Sequence, residues 1–267
     1  MDLGLERTAA IVCGASSGMG LAISRALAAE GCDVTMVARD PDRLDAAAAS
    51  VPGAVASAGD VRDQAAMERA VKATIDRRGR LDILINNAGG PPAGTFEELP
   101  AEAWAEAFEL SLNSGVRLTR LALPHLRESG RGRIVNITSW SVREPIPHLM
   151  LSNAIRPGVV GWAKALSREL AADGITVNTI APGKIDTERM KELWERQPDP
   201  ENARARDEAS IPAGRLGSPD EVAAAVTFLC SAQAAYISGV VLPVDGGLSA
   251  GQTGAYARPD LRALLDP

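Results

Sequence analysis

Several residue types are scarce in this chain of 267 residues. Histidine occurs twice and cysteine three times, and aromatic residues make up only 3%. His125 and His148 are too few to build a His-rich metal site, and no metal is expected. Cys13, Cys32 and Cys230 are an odd number with no CxxC or other ligand spacing, which suits a reducing cytoplasm rather than a disulfide framework. No apolar run approaches the roughly 18–20 residues that cross a bilayer, so no membrane partner is expected. A basic surplus is missing as well. With 28 Lys and Arg against 34 Asp and Glu, the net charge is −6, which argues against a nucleic-acid partner because no excess cation is left for phosphates. The opening MDLGLERTAA carries neither the basic region nor the apolar stretch of a leader, and an untargeted, cytoplasmic protein is expected.

What is present suits one large α/β domain. Hydrophobic residues make up 46% of the chain, enough for a sizeable core, and charged residues 23%. Short apolar runs alternate with helical patterns from Thr8 to Val244, with no repeat, low-complexity linker or domain boundary between them. A single domain over residues 1–267 is expected, with its core at about 5–248 and a tail at 249–267. The fold expected is a Rossmann-type, doubly wound parallel sheet with helices on both faces.

The first strand, Thr8–Val12, runs into Cys13-Gly14-Ala15-Ser16-Ser17-Gly18-Met19-Gly20 and then a helical pattern. Strand, glycine-rich turn and helix in that order suit a phosphate-binding turn: glycines admit a pyrophosphate close to the backbone, and the helix start offers unpaired N–H groups. A plain tight turn is the alternative. A second strand, Asp33–Val37, ends in Ala38-Arg39-Asp40. In a dinucleotide fold that end faces the adenosine ribose, where arginine accommodates a 2′-phosphate and an acid favours a free hydroxyl. Arg39 tilts the expectation to NADP, with NAD possible through Asp40; an ordinary surface arginine is the bland alternative.

Further along, Pro41 opens an alanine-rich helix, a short strand precedes Asp60-Val61, and Leu81–Ile85 reads as a central strand ending in Asn86-Asn87-Ala88-Gly89-Gly90. A long helical stretch from Ala101 to Arg127 carries Asn113, and strand Arg133–Thr138 ends at Ser139. Strand Thr176–Ile180 leads into Ala181-Pro182-Gly183-Lys184-Ile185-Asp186-Thr187. Met190, Leu193 and Trp194 form an apolar stripe that is either ordinary packing or the face of a lid. Ser218-Pro219-Asp220-Glu221 has the composition of a capping box.

These motifs, in this order, resemble the short-chain dehydrogenase/reductases over about residues 5–248, most closely the branch similar to bacterial 3-oxoacyl-carrier-protein reductases. The resemblance implies an NADP(H)-dependent oxidoreductase acting on a small carbonyl or alcohol substrate. It implies that Gly14, Ser16, Ser17, Gly18, Met19 and Gly20 hold the pyrophosphate, Asp60 and Val61 the adenine, and Asn87, Ala88 and Gly89 the adenosine ribose. Pro182, Gly183, Ile185 and Thr187 would lie along the nicotinamide. Asn113 and Ser139 would be the water-holding asparagine and the polarising serine. A homodimer or homotetramer through helices around 101–127 and 152–173 is implied as well.

In one stretch the resemblance fails. The family's tyrosine lies thirteen residues after the serine and its lysine four beyond that; those places hold Ser152 and Arg156. The following VVGWAKALSREL keeps the family register, so the change is a substitution, and Lys164 belongs to the helix surface. Serine is a far weaker acid than a phenol, and arginine is too basic to relay protons. Four residues apart on a helix, Ser152 and Arg156 share a face. Arg156 would hold ribose hydroxyls or an anionic oxygen, or else serve a structural ion pair; Ser152 would act as a hydroxyl of the site or merely cap a helix. Pro157 predicts a helix that starts or kinks there, displacing Arg156. His148 is the first replacement acid to consider, with Glu144 and Tyr256 behind it. A redox-silent dinucleotide-binding protein and a non-redox dehydratase or cyclase remain as alternatives.

Overall fold

In the computed structural model, which describes residues 1–250, seven parallel strands form one sheet in the order β3-β2-β1-β4-β5-β6-β7. The strands are β1 (Ala9–Cys13), β2 (Asp33–Ala38), β3 (Val55–Ala58), β4 (Ile83–Asn86), β5 (Arg133–Ile137), β6 (Thr176–Pro182) and β7 (Val241–Val244). All five residues of β1 are buried, as a strand covered on both faces requires. Ala10 and Val12 pack with α1 (Gly18–Ala29), α2 (Pro41–Ala49) and α9 (Pro219–Cys230). Ile11 and Cys13 pack on the other face with α3 (Gln64–Arg78), α5 (Ser114–Ser129) and α6 (Met150–Glu169). The chain order reverses between β1 and β4, and a crevice opens there beyond the carboxyl ends of the strands.

Local sequence sets several helix starts. Asp40 accepts from the Arg43 N–H ahead of Pro41, Asp63 accepts from the Ala65 N–H, and Ser218 with Glu221 completes the expected capping box. The stretch expected as one helix from Ala101 to Arg127 is α4 (Ala101–Phe108), a π turn (Glu109–Asn113) and α5, which runs on to Ser129. The stretch that carries the Met190, Leu193 and Trp194 stripe holds α7 (Glu188–Glu195), followed by α8 (Pro200–Ser210). Tyr256 and the rest of the expected tail from residue 251 lie outside the described residues.

The expectation of a helix broken at Pro157 is corrected. Helix α6 runs unbroken from Met150 to Glu169 with Pro157 inside it. Tertiary anchors start it early: the Asn153 side chain accepts from the Ile146 N–H at 2.9 Å and donates to the Ile146 carbonyl at 2.8 Å. Pro157 and Gly158 lie on the exposed side, where water can pair the carbonyl that proline leaves without a donor.

Across the middle of the sheet runs a row of amides. The Asn86 Nδ2 donates to Asn136 Oδ1 at 2.9 Å, Asn136 Nδ2 to the Asn178 carbonyl at 3.4 Å, and Asn178 Nδ2 to the Ile237 carbonyl at 2.7 Å. Asn136 and Asn178 are fully buried, and this row satisfies polar groups that burial would otherwise penalise.

Candidate active site

A cleft of about 910 Å³ lies over the carboxyl ends of the strands. Gly14, Ser16, Ser17, Gly18, Met19 and Gly20 line it, together with Arg39, Asp60, Val61, Asn87, Ala88 and Gly89 from the next loops and Pro182, Gly183, Ile185 and Thr187 after β6. The structure thus brings together every residue that the sequence assigns to dinucleotide contact.

Two glycines are forced by close approach. Gly14 has φ +60°, and a Cβ on it would sit 2.5 Å from the Asn87 carbonyl oxygen; one on Gly20 would sit 2.1 Å from the Gly14 carbonyl oxygen. Asn87 closes the turn by donating from Nδ2 to the Cys13 carbonyl at 3.1 Å. Helix α1 begins with no side-chain cap on its first N–H groups and no acid in its first turn. Those N–H groups and the positive end of the helix dipole suit a phosphate.

At the β2 end, Arg39 is exposed and pairs with no carboxylate among the described residues. Asp40 is turned toward its own helix as the cap of α2. Asp60 is held by Arg62 at 2.7 Å, and that hydrogen bond keeps its carboxyl below the usual range. Arg43, which sequence inspection passed over, also lines the cleft and reaches Glu188 of α7 at 2.5 Å. The partners come from segments 145 residues apart, so no local pattern announces them.

The β5 and α6 end holds a run of hydroxyls leading to a cation. Ser139 lines the cleft, and its Oγ accepts from the Ser141 N–H at 3.1 Å, leaving its own hydrogen to donate. Ser152 is buried behind the wall, 3.4 Å from the Ser141 hydroxyl, and caps no helix. Its Oγ accepts from Arg156 Nε at 3.0 Å, and Arg156 Nη1 donates to the Ile137 carbonyl at 3.3 Å. The unbroken helix keeps the two on one face. Arg156 lines the cleft and joins no ion pair among the described residues, and burial pushes its pKa down to about 10.

Asn113 is not brought to the cleft. Its Nδ2 donates to both oxygens of Glu109, at 2.8 and 2.9 Å, and Glu109 also meets Arg117 at 3.1 Å. Ser111, two residues earlier, faces inward instead. Its buried Oγ has no partner, and it lines a small cavity of about 20 Å³ shared with Asn86, Asn136 and Arg156. Both residues belong to the π turn Glu109–Asn113; the resemblance places Asn113 at the site, and the structure turns Ser111 inward in its stead.

Neither His148 nor Glu144 lines the cleft. His148 is exposed at φ +59°, its carbonyl accepting from the Gly94 N–H at 2.6 Å. The stripe on α7 is divided. Trp194 is buried with Ile211, Leu216 and Leu248 and donates from Nε1 to Asp207 at 2.7 Å, whereas Met190 packs on that cluster and also lines the cleft.

A doubly wound parallel sheet, a glycine turn facing a helix start, and a serine after β5 beside that turn define a dinucleotide-fold protein. The family model described as enoyl-(acyl carrier protein) reductase matches residues 14–249. The 3-oxoacyl-(acyl-carrier-protein) reductase of Vibrio cholerae is 37% identical over 249 residues, 92% of this chain and 99% of the relative. The L-sorbose reductase of Gluconobacter frateurii, solved with NADPH and L-sorbose, superposes with TM-score 0.87 at 34% identity, covering 94% of this chain and 100% of that one. A variant of actinorhodin polyketide ketoreductase with NADPH gives 0.84 at 37% identity, over 91% and 97%. The chain belongs to the short-chain dehydrogenase/reductase family.

Among the described residues no helix is long and apolar enough to cross a membrane, and no cluster of acidic, histidine or cysteine side chains has the makings of a metal site.

Proposed function

We propose that the protein is an NADP(H)-dependent reductase of a small carbonyl compound in which Arg156 and a set of serine hydroxyls stand in for the family's phenol and ammonium. The main support is the single cleft that joins the glycine turn and Arg39 to Ser139 and Arg156. The residues fit a phosphorylated dinucleotide. The start of α1 offers unpaired N–H groups, Gly14 and Gly20 leave backbone-close room, and Arg39 waits beside the ribose end while Asp40 is committed to its cap. The dinucleotide, when bound, would supply the hydride.

The protein's own residues would do the rest. Ser139 donates its hydroxyl hydrogen to the substrate carbonyl oxygen. Arg156 stabilises negative charge developing on that oxygen, directly or through Ser152, as a donor already held in place. Protonation then comes from water, because the described wall of the cleft offers neither tyrosine nor histidine. Losing a positioned acid costs roughly 10²–10⁴ in rate, so slow turnover is expected. Association into a homodimer or homotetramer through α4, α5 and α6 is part of the same proposal.

Isothermal calorimetry with NADPH and NADH, followed by NADPH oxidation against ketones and 3-oxoacyl thioesters, tests it. Binding without turnover of any substrate would favour the redox-silent reading, and absence of binding would end the oxidoreductase reading. Two variants sharpen the outcome. In Arg39→Ala the preference for NADPH over NADH should fall roughly 10–150-fold, the worth of one hydrogen bond to a charged group, with NADH affinity unchanged. In Gly20→Ala both dinucleotides should bind too weakly to measure, because the added methyl drives the turn off the Gly14 carbonyl. Wild-type affinity in Gly20→Ala would place the dinucleotide elsewhere.

A further inference from the structure

We propose that Arg156 is built to hold a carboxylate of the substrate and that the physiological substrate is a 2-oxo acid, an inference that rests on the reductase reading. A cation partly buried in a cleft wall normally has an anion beside it, since a charge drawn out of water is costly without one. Arg156 has none among the described residues: its internal partners are the Ser152 hydroxyl and the Ile137 carbonyl, both neutral. Its Nη2 meets no partner there. The other cations of the cleft and its rim are engaged or distant: Arg43 meets Glu188, Arg189 meets Glu192 and the Pro91 carbonyl, and Lys184 meets Asp207. Arg39 stands at the ribose end. The small cavity behind Arg156, where the Ser111 Oγ is buried without a partner, has room for about one water and supplies no counter-charge.

The side chain itself narrows the ligand. A guanidinium presents a planar fork that fits a carboxylate through two parallel hydrogen bonds, which an ammonium cannot do. Ribose hydroxyls would satisfy its hydrogens but leave its charge; a carboxylate does both. Proximity narrows it again. Arg156 Nη1 donates to the Ile137 carbonyl, two residues before Ser139, and Ser139 and Arg156 both line the cleft, so a carbonyl oxygen on the Ser139 hydroxyl and a carboxylate on the guanidinium are neighbours on the substrate. Adjacent carbonyl and carboxylate define a 2-oxo acid. In the reaction C2 accepts a hydride, the C=O π pair moves to oxygen, water supplies a proton to it, and a 2-hydroxy acid leaves as the dinucleotide is oxidised. Thioesters of a carrier protein, which lack this charge, would use the site poorly.

The test compares 2-oxo acids of graded side-chain length with their methyl esters in NADPH oxidation, using wild type, Arg156→Lys and Arg156→Gln. Each protein is first checked by circular dichroism and by NADPH calorimetry. Wild type should prefer acid over matched ester by about a hundredfold or more in kcat/KM, the expected worth of a two-bond charged contact. Arg156→Gln should abolish that preference chiefly through the KM of the acid, and Arg156→Lys should keep part of it. Independently of turnover, oxamate should raise the Tm of the NADP-loaded wild type and not that of Arg156→Gln. Equal use of acid and ester, or reduction of neutral ketones alone, overturns the proposal and leaves the reductase reading standing. Failure of wild type to bind NADPH overturns both.

Discussion

Turnover of neutral carbonyl substrates should rise by roughly 10²–10⁴ in the double variant Ser152→Tyr with Arg156→Lys, the usual worth of a positioned general acid. The helix carrying both positions is continuous, and the two side chains already touch at 3.0 Å, so a phenol and an ammonium would inherit the required proximity. Ser152 stops short of the cleft wall, while a phenol extends several ångströms further from the same backbone. A phenol, ordinarily near 10, is brought toward neutral pH by an adjacent ammonium, whereas a serine hydroxyl stays protonated at any working pH. The gain should be read as kcat with a 3-oxobutanoyl thioester, with a new fall in rate on the alkaline side of its pH profile as the phenol ionises. The same variant should lose ground on 2-oxo acids, because it gives up the carboxylate fork. No gain on any neutral carbonyl would mean that the pocket has diverged beyond these two positions.

Arg156→Met should make the protein more stable and less active at once. Burial lowers the arginine pKa to about 10, so the folded protein binds this proton less tightly than the unfolded chain does. For a base shifted downward the penalty is fully present below pH 10 and fades only as pH rises above it. Between pH 5 and 9 it is therefore constant. Methionine keeps the length of the side chain without the charge, and replacing buried charge by an apolar group of similar volume often stabilises by about 1–4 kcal/mol. Two hydrogen bonds, worth about 0.5–1.5 kcal/mol each, are lost in exchange, leaving a net gain centred at about 0.5 kcal/mol, or a Tm rise of roughly 1–2 °C for a chain this long. Turnover should fall roughly 10²–10³-fold with the loss of the main donor to the developing anion. Calorimetric melts at pH 7 and pH 9 measure the first effect. A lowered Tm would show that the bonds to Ser152 and Ile137 outweigh the charge, and that the arginine is structural.

Sheet, glycine turn and two helix starts were legible because each depends on neighbours in sequence. Apolar runs mark the strands, Gly14 to Gly20 mark the turn, and Pro41 and Ser218 mark helix starts, while the caps at Asp40 and Asp63 emerge only in the structure. Three features depend on tertiary facts and were not legible. Pro157 reads as a helix breaker, yet the Asn153 clasp on Ile146 sets the start of α6 seven residues before it. The π turn sends Ser111 inward and Asn113 to Glu109, which neither the resemblance nor a helical period reveals. Arg43 reaches its partner in α7 only once the sheet has assembled. Of the four side chains first placed at the reacting end, Ser139 and Arg156 face the cleft, Ser152 supports Arg156 from behind, and Asn113 is held elsewhere by Glu109.

The amide row from Asn86 through Asn136 to Asn178 ties the pairing of three strands to the floor of the small cavity, which Asn86 and Asn136 also line. A slip of one residue between β4 and β5 would turn these amides to opposite faces and strand several donors at once. Mispaired forms of the central sheet are thereby penalised, and the same constraint limits how this site can drift: any change to the pocket floor at Asn136 must also preserve the strand alignment.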